Sequence, residues 1–182
     1  EDKGDYLYVA ADCTRAYSPK KLDYFTRQIV FLRPGTFIIF DRVRSKDPAF
    51  KKTFLLQAMT TPVREGGHLA VTNGKGRLFI QTLLPLSPAV RLVSGEDLYS
   101  YGGKDYPPDR DTGPAPQCRI EISPSSPSSI DYFLHVLTAA DSETNLIVPA
   151  PFKASDAEIS VTIGRNVLIY QKAVPALSIE AP

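Results

Sequence analysis

Apolar and polar side chains alternate with a period of two along most of this chain, and helical periodicity is hard to find. The segment 158–163, Glu-Ile-Ser-Val-Thr-Ile, has one polar and one apolar face, as a half-buried strand requires. The segment 118–123 follows the same rule, so we expect its polar residues Arg119, Glu121 and Ser123 to point outward. The other predicted strands are 5–11, 24–33, 36–44, 52–59, 68–72, 77–84, 89–93, 131–139 and 166–171.

Turn sequences separate these strands. Pro34 lies between two strongly apolar segments and presets the backbone angle of a tight turn. Asn73-Gly74 is the strongest short hairpin signal, and Gly164 marks a third tight connection. Because short turns join many strands and no helix is long enough for a βαβ crossover, we predict one all-β domain. It is a large antiparallel β-sandwich of about a dozen strands with little helix, spanning residues 1–182.

One stretch, from about Ser94 to Pro116, has glycines, prolines, tyrosines and acids but no periodic apolar pattern. A loop of this length in a compact domain is usually functional or disordered. Aromatic faces pack against sugar C–H surfaces, and cations suit uronate or sulfate groups. The simpler interpretation, which we favour, is that the tyrosines only hold the loop on the sandwich. The candidate substrate-binding residues of this loop are Tyr99, Tyr101, Lys104, Tyr106 and Arg110.

Composition narrows the possible partners. The chain has 21 Lys+Arg against 20 Asp+Glu, so it lacks the basic field that nucleic acid binding requires. No apolar run approaches the roughly 20 residues that cross a bilayer, so we expect no membrane partner. Cys13 and Cys118 allow either a disulfide or two free thiols, and free buried thiols are the simpler interpretation.

Several segments, in their order and spacing, resemble the C-terminal β-domain of heparinase II/III-like polysaccharide lyases. The resemblance covers about residues 5–140 and includes no single diagnostic motif. Its segments are Tyr8-Val-Ala-Ala-Asp12, Tyr24-Phe-Thr-Arg-Gln-Ile-Val-Phe-Leu-Arg-Pro34, Phe37-Ile-Ile-Phe-Asp-Arg-Val43, Lys51-Lys-Thr-Phe-Leu-Leu-Gln57 and Phe133-Leu-His-Val-Leu137.

The resemblance implies a bacterial enzyme, periplasmic or secreted, that cleaves uronic-acid-containing polysaccharide by β-elimination. In such lyases a helical toroid domain and the start of the β-domain supply the catalytic Tyr and His. A structural zinc site, where present, also takes its ligands largely from upstream. The expected partners are therefore an acidic polysaccharide and an upstream helical catalytic domain of the same polypeptide. Because the sequence begins at Glu1 without a methionine or a signal peptide, we expect it to be a piece of a longer protein.

The sequence departs from this family at two places. Gln57 stands where many relatives have a His, and no tryptophan precedes the sequence Arg119-Ile-Glu121. These departures argue against a direct role of segment 51–57 in the chemistry.

No self-sufficient catalytic set can be identified in the chain. β-Elimination needs a base, an acid and a group that neutralises the substrate carboxylate. His68 and His135 lie on separate predicted strands. We expect His68 to be solvated. We expect His135 to be hydrogen-bonded on the sheet, and the alternative for His135 is substrate contact. Zinc needs three or four clustered ligands, and Asp105, Asp109 and Asp111 match no calcium loop. We therefore assign no catalytic residue, no metal and no cofactor.

Asp41-Arg42 interrupts an apolar strand, and alternation puts the two side chains on opposite faces. At least one charge is therefore expected to be partly buried and to need a partner. The structural interpretation is a charge pair that fixes the register between sheets. The alternative is that Arg42 contacts a substrate carboxylate.

Three functions remain open at this point. The first is a structural domain that closes one side of a lyase substrate cleft and lends it loop residues. The second is a free-standing carbohydrate-binding or cell-surface adhesion module. An enzyme complete in itself is the weakest hypothesis, because the chain lacks an acid–base pair.

Overall fold

The computed structural model describes residues 1–110, 113–145 and 147–180. Two short 3₁₀ helices, Thr14–Ala16 and Gly95–Tyr99, are the helical elements of this described part, and no described helix is long and apolar enough to cross a membrane. The strands are β1 Tyr6–Asp12, β2 Leu22–Leu32, β3 Thr36–Ser45, β4 Phe54–Ala58, β5 Val63–Glu65, β6 His68–Asn73, β7 Gly76–Leu84, β8 Ala89–Ser94, β9 Ser100–Tyr101, β10 Lys104–Asp105, β11 Cys118–Ser123, β12 Ile130–Asp141, β13 Phe152–Ala154, β14 Glu158–Ile163, β15 Asn166–Gln171 and β16 Leu177–Glu180.

The strands form three sheets and one small hairpin. A seven-stranded sheet has the order β1-β2-β3-β12-β7-β6-β5, and every neighbouring pair in it is antiparallel. A three-stranded sheet has the order β4-β11-β8, and a four-stranded sheet follows chain order from β13 to β16. The hairpin β9-β10 lies in the loop between β8 and β11. The predicted antiparallel β-sandwich is confirmed.

Two hydrophobic cores place the seven-stranded sheet between the other two sheets. One core joins it to the four-stranded sheet, where the rings of Phe40 and Tyr170 lie 4.8 Å apart. The other core joins its opposite face to the three-stranded sheet through Val43 and Phe133 on one side and Ile120 on the other. Because β3 and β12 are covered on both faces, their apolar residues run almost without interruption.

The expected outward orientation of Arg119, Glu121 and Ser123 is wrong. All six residues of β11 are buried, and the exposed fractions of Arg119 and Glu121 are 6% and 4%. The loop that follows β8 covers this outer face, since Arg119 donates hydrogen bonds to backbone carbonyls of that loop. Alternation indicates which residues share a face of a strand, and it does not show whether a loop covers that face.

Asp41 and Arg42 are both buried and lie on opposite faces of β3, as predicted. Asp41 accepts hydrogen bonds from Arg27 Nε at 2.7 Å and Nη2 at 2.6 Å, and Arg27 is its direct neighbour in β2. Arg42 donates to the carbonyl oxygens of Lys172 and Ala173, each at 2.7 Å. One charge therefore fixes the register of β2 on β3, and the other joins the central sheet to the four-stranded sheet. The exposed fraction of Arg42 is 4%.

The two histidines are buried as well. His135 is 0% exposed, shares a hydrogen bond of 3.1 Å between its Nδ1 and Thr82 Oγ1, and lies 4.0 Å from the ring of Phe54. The prediction of a hydrogen-bonded histidine on the sheet is confirmed. Burial, with a smaller contribution from Arg27, lowers the pKa of His135 from 6.5 to about 3. The prediction of a solvated His68 is wrong, because its ring packs edge-on against Phe79 and is 6% exposed.

Cys13 and Cys118 are free thiols, in agreement with the simpler interpretation. Cys118 is buried in the three-stranded sheet, and burial raises the pKa of its thiol. Cys13 is only half-buried.

We expect Asp41→Ala to lower the free energy of unfolding by about 3 kcal/mol, because Arg27 is left without its buried partner. The double variant Arg27→Met, Asp41→Leu should lose much less, since it removes both charges and keeps apolar volume. Asp23→Ala is a suitable control because the Asp23 ion pairs with Arg44 and Lys46 are solvent-exposed, and it should lose under about 1 kcal/mol. Urea midpoints measure all three, and equal midpoints for Asp41→Ala and Asp23→Ala would contradict the prediction.

We also expect His135 to make stability depend on pH. The unfolded chain takes up a proton on this residue below about pH 6.5, whereas the folded chain does so only near pH 3. The free energy of unfolding therefore falls as pH decreases through that window, by about 1.4 kcal/mol per pH unit and about 2 kcal/mol between pH 7 and pH 5. In His135→Gln, which does not titrate, this part of the loss should be missing. Parallel urea-midpoint curves for wild type and variant would show that the expected linkage is absent.

Candidate functional site

An open groove of about 450 Å³ lies where β2 begins and β3 ends. Segments 17–22 and 50–55 form its walls, and Tyr101 of the long loop reaches it from the three-stranded sheet. The residues that line it are Tyr17, Ser18, Lys21, Leu22, Phe25, Arg27, Asp41, Val43, Ser45, Phe50, Lys51, Lys52, Thr53, Phe54, Leu55, Tyr101 and Phe133.

The floor of the groove combines aromatic rings with one internally neutralised charge pair. The Arg27 guanidinium carbon lies 5.5 Å from the ring centre of Phe25 and 5.4 Å from that of Phe54. Burial raises the pKa of the Asp41 carboxyl, and the hydrogen bonds from Arg27 oppose this effect. The same hydrogen bonds raise the pKa of Arg27, so it stays a cation. Since Asp41 occupies two of its donors, Arg27 has little free charge to offer a ligand.

The free positive charge of the groove lies at its rim. Lys21 and Lys51 are exposed, and the Lys21 Nζ lies 5.9 Å from the ring centre of Phe50. Lys52, by contrast, is turned inward: its Nζ forms an ion pair with Asp131 Oδ2 at 2.9 Å and donates a hydrogen bond to Ser45 Oγ at 3.0 Å. Lys21 and Lys51 can therefore contact an anionic ligand, whereas Lys52 makes its contacts inside the protein.

The exposed aromatic rings of the groove surround this charge. Tyr17 is exposed and packs edge-on against Phe25 at 5.6 Å. Phe50 and Tyr101 are also exposed, Tyr101 by 59%. Rings of this kind offer flat apolar faces on which the C–H surface of a sugar packs. An aromatic groove with lysines at its rim suits an acidic carbohydrate.

The structure brings one of the predicted loop residues, Tyr101, into the groove. Tyr99 is half-buried, and its carbonyl accepts a hydrogen bond of 2.9 Å from the Tyr106 backbone. Lys104 lies 5.2 Å above the Tyr106 ring, and Arg110 is exposed; none of these residues lines the groove.

The other predicted site residues stand apart from the groove. Arg42 and His135 are buried in the sheets, as described above. Among the described residues, no three His, Cys, Asp or Glu side chains are arranged to hold a metal ion. Asp111, one of the acidic residues weighed for calcium, lies outside the described residues.

Sequence reasoning missed the groove because its walls come from two separate turns. Both turns carry an aromatic residue followed by a pair of lysines: Tyr17 precedes Lys20-Lys21, and Phe50 precedes Lys51-Lys52. The pairing of β2 with β3, extended by the hydrogen bond from Lys46 N to the Lys21 carbonyl, brings the two turns together. The repeated composition was the available signal, and only the register shows that the turns meet.

No protein-family model matches the chain, and no curated protein matches it by sequence. Solved structures do match its fold. A heparinase III, the BT4657 gene product, superposes with a TM-score of 0.59 at 10% identity and covers 99% of this chain. The heparan sulfate lyase HepC from Pedobacter heparinus superposes with a TM-score of 0.59 at 12% identity and covers 100% of it.

The match covers only a small part of those proteins. It accounts for 26% of the heparinase III chain and 27% of the HepC chain, so this chain spans about a quarter of their length. At these identities the likeness concerns the fold. The resemblance to heparinase II/III-like lyases is thus confirmed at the level of the fold: the chain has the all-β architecture of a β-domain within heparinase III-type lyase chains.

Proposed function

We propose that this chain is the C-terminal β-domain of a polysaccharide lyase and that its groove binds part of an acidic, uronic-acid-containing polysaccharide. The observation that carries the proposal is the groove itself, in which Tyr17, Phe50 and Tyr101 stand beside the rim lysines Lys21 and Lys51. The fold shared with heparinase III chains over the whole length of this chain supports the same assignment.

The chemistry of the groove favours an anionic sugar over a neutral one. Aromatic faces contribute apolar contact with any sugar ring, and so they do not discriminate by charge. Lys21 and Lys51 add two positive charges that are not neutralised within the groove, because the Asp41 carboxylate is already bound by Arg27. Carboxylate or sulfate groups supply the complementary charge. The volume lies within the range of about 300–1,000 Å³ that small-molecule sites occupy.

The domain supports the substrate cleft and does not perform the elimination alone. A base must lie within hydrogen-bond reach of the proton it removes. The histidines are both buried, and His135 stays neutral far below physiological pH because its pKa is about 3. In this proposal an upstream helical domain of the same polypeptide supplies the acid and base, and the complete enzyme works in the periplasm or outside the cell.

A carbohydrate-binding or adhesion module without a lyase partner is the second candidate. It is favoured by the two hydrophobic cores, whose residues are buried within this chain itself. The full-length reading frame separates the candidates, because the lyase proposal demands several hundred upstream residues with a mostly helical pattern. An upstream region of another kind would favour the binding module.

We expect weak, salt-sensitive binding of uronate oligosaccharides, with a dissociation constant in the millimolar range, about −4 kcal/mol. The double variant Lys21→Ala, Lys51→Ala should weaken binding at least about fivefold, because it removes both rim charges. Lys75→Ala, Lys153→Ala is the matched control: it changes the net charge equally at exposed lysines outside the groove, and it should bind like wild type. Chemical-shift titration measures all three, and shifts clustered away from the groove would contradict the proposal.

We further expect the isolated chain to have no lyase activity. β-Elimination forms an unsaturated product whose ultraviolet absorbance can be followed with heparan, alginate or chondroitin substrates. Because the described residues offer no exposed histidine, this absorbance should stay at the level of the substrate blank. Steady product formation that His135→Ala abolishes would show that His135 has a catalytic role.

A further inference from the structure

A buried ion pair on β11 faces the long loop. Arg119 and Glu121 are two residues apart on the same side of the middle strand of the three-stranded sheet. Arg119 Nε donates to Glu121 Oε1 at 3.0 Å, and the same oxygen lies 2.9 Å from Arg119 Nη2. Neither side chain has more than a tenth of its surface in water. Nothing in the groove chemistry described above uses this pair.

The remaining donors of the guanidinium bind the loop backbone. Arg119 Nη2 donates to the Ser100 carbonyl at 2.9 Å, and Nη1 donates to the Leu98 carbonyl. Leu98 is itself buried against the sheet. The planar fork of arginine suits this task because it directs several N–H groups at fixed angles, which the single ammonium of lysine cannot do. The segment from Leu98 to Ser100 is thus bound to Arg119 of β11 through two backbone carbonyls, and the Leu98 side chain of this segment is buried.

Tyr101 follows this bound segment directly. Its strand pairs with β10, so that Tyr101 faces Lys104 and Ser100 faces Asp105 across the hairpin. Ser100 Oγ also donates to the Asp105 carboxylate, and the Tyr106 backbone donates to Tyr99 at 2.9 Å. The ring of Tyr101 nevertheless makes no aromatic stacking contact of its own within the described residues. The backbone on either side of this ring is held by hydrogen bonds at Ser100 and at Tyr106.

Stability alone is a poor explanation for the pair. The free-energy cost of removing two charges from water usually offsets their attraction. A protein with apolar residues of similar volume in their place is often as stable or more stable. A buried ion pair that also binds irregular backbone instead selects one loop conformation. The loop conformation that Arg119 selects is the one that presents Tyr101 to the groove.

We propose that Arg119, supported by Glu121, is a positioning residue for the sugar-binding groove: it fixes the segment Leu98–Ser100 and thereby places the Tyr101 ring at the site. The inference rests on the proposed function, since it assumes that the groove binds acidic sugar. It assigns a binding role to a residue that does not line the groove.

The test replaces the pair by apolar residues, Arg119→Leu with Glu121→Leu, so that no buried charge is left alone. We expect amide hydrogen exchange in 98–106 to accelerate more than tenfold while exchange in β12 stays unchanged. The dissociation constant for uronate oligosaccharide should rise about fivefold, as in Tyr101→Ala. Combining all three substitutions should weaken binding no further, because the pair acts through Tyr101.

A second ion pair of the same composition provides the matched control. Arg77 Nη2 lies 2.5 Å from Glu65 Oε1 between β7 and β5, and neither residue lines the groove. Arg77→Leu with Glu65→Leu should leave both the loop exchange and the binding as in wild type. Should the apolar pair on β11 prevent folding, Arg119→Lys is the second variant, because it keeps a charge for Glu121 and loses the two-carbonyl geometry. It should produce the same changes in exchange and binding, to a smaller degree.

The outcomes separate this inference from the proposed function. Faster loop exchange with unchanged binding overturns the positioning role of Arg119 and leaves the groove as a binding site. Unchanged loop exchange overturns the role as well, because the pair then does not hold the segment. If wild-type protein binds no uronate oligosaccharide, the proposed function fails, and the positioning role fails with it. Accelerated exchange together with weakened, non-additive binding supports the inference.

Discussion

Burial of β3 and β12 on both faces is the constraint on which the rest of the structure depends. A sheet covered on one side tolerates charge on the other, whereas burial on both faces penalises any polar group of these two strands that lacks a partner. Asp41 meets this requirement through Arg27 in the neighbouring strand. Arg42 meets it through two carbonyls of the segment that follows β15. One charge of this dipeptide thus fixes the register within the central sheet, and the other joins that sheet to the segment after β15.

The groove arises where that coverage ends. The core beneath the three-stranded sheet contains residues of β12, β7 and β6 together with Val43 of β3, whereas Leu22 and Phe25 of β2 are only partly buried against it. At this border the aromatic floor is open to solvent, and the turns before β2 and after β3 supply lysines around it. Apolar residues of the central strands therefore also form part of a site with lysines at its rim. The loop carrying Tyr101 completes it from the side of the three-stranded sheet.

Much of the fold could be predicted because its strands are long and their turns are explicit. The segments 118–123 and 158–163 are strands, as their alternation indicates, and Asn73-Gly74 connects β6 to β7. Short strands such as β13 and β16 escaped detection, since three or four residues do not establish a period. The site was harder to predict, because its walls are distant in sequence and meet only through the register of β2 and β3.

The errors share one physical cause. The alternation of apolar and polar residues shows which side chains share a face of one strand. Burial depends on the elements that pack over that face. Arg119 and His68 both looked exposed in sequence, the first because it is charged and the second because it follows Gly66-Gly67. A loop covers Arg119, and Phe79 covers His68. For the same reason the sequence indicated Tyr101 as a candidate ligand contact without distinguishing it from Tyr106, whose ring lies under Lys104.

The position of β12 in the central sheet also has a consequence for how the chain folds. β12 lies between β3 and β7, so the two halves of the seven-stranded sheet have no direct contact along their inner edges. Until residues 130–141 are in place, β3 and β7 each present an unpaired, apolar edge of the kind that recruits other chains. Pairings this distant in sequence form slowly. Residues 1–129 alone would therefore leave this sheet in two parts, each with an apolar edge prone to aggregation, and β12 is the strand that joins them.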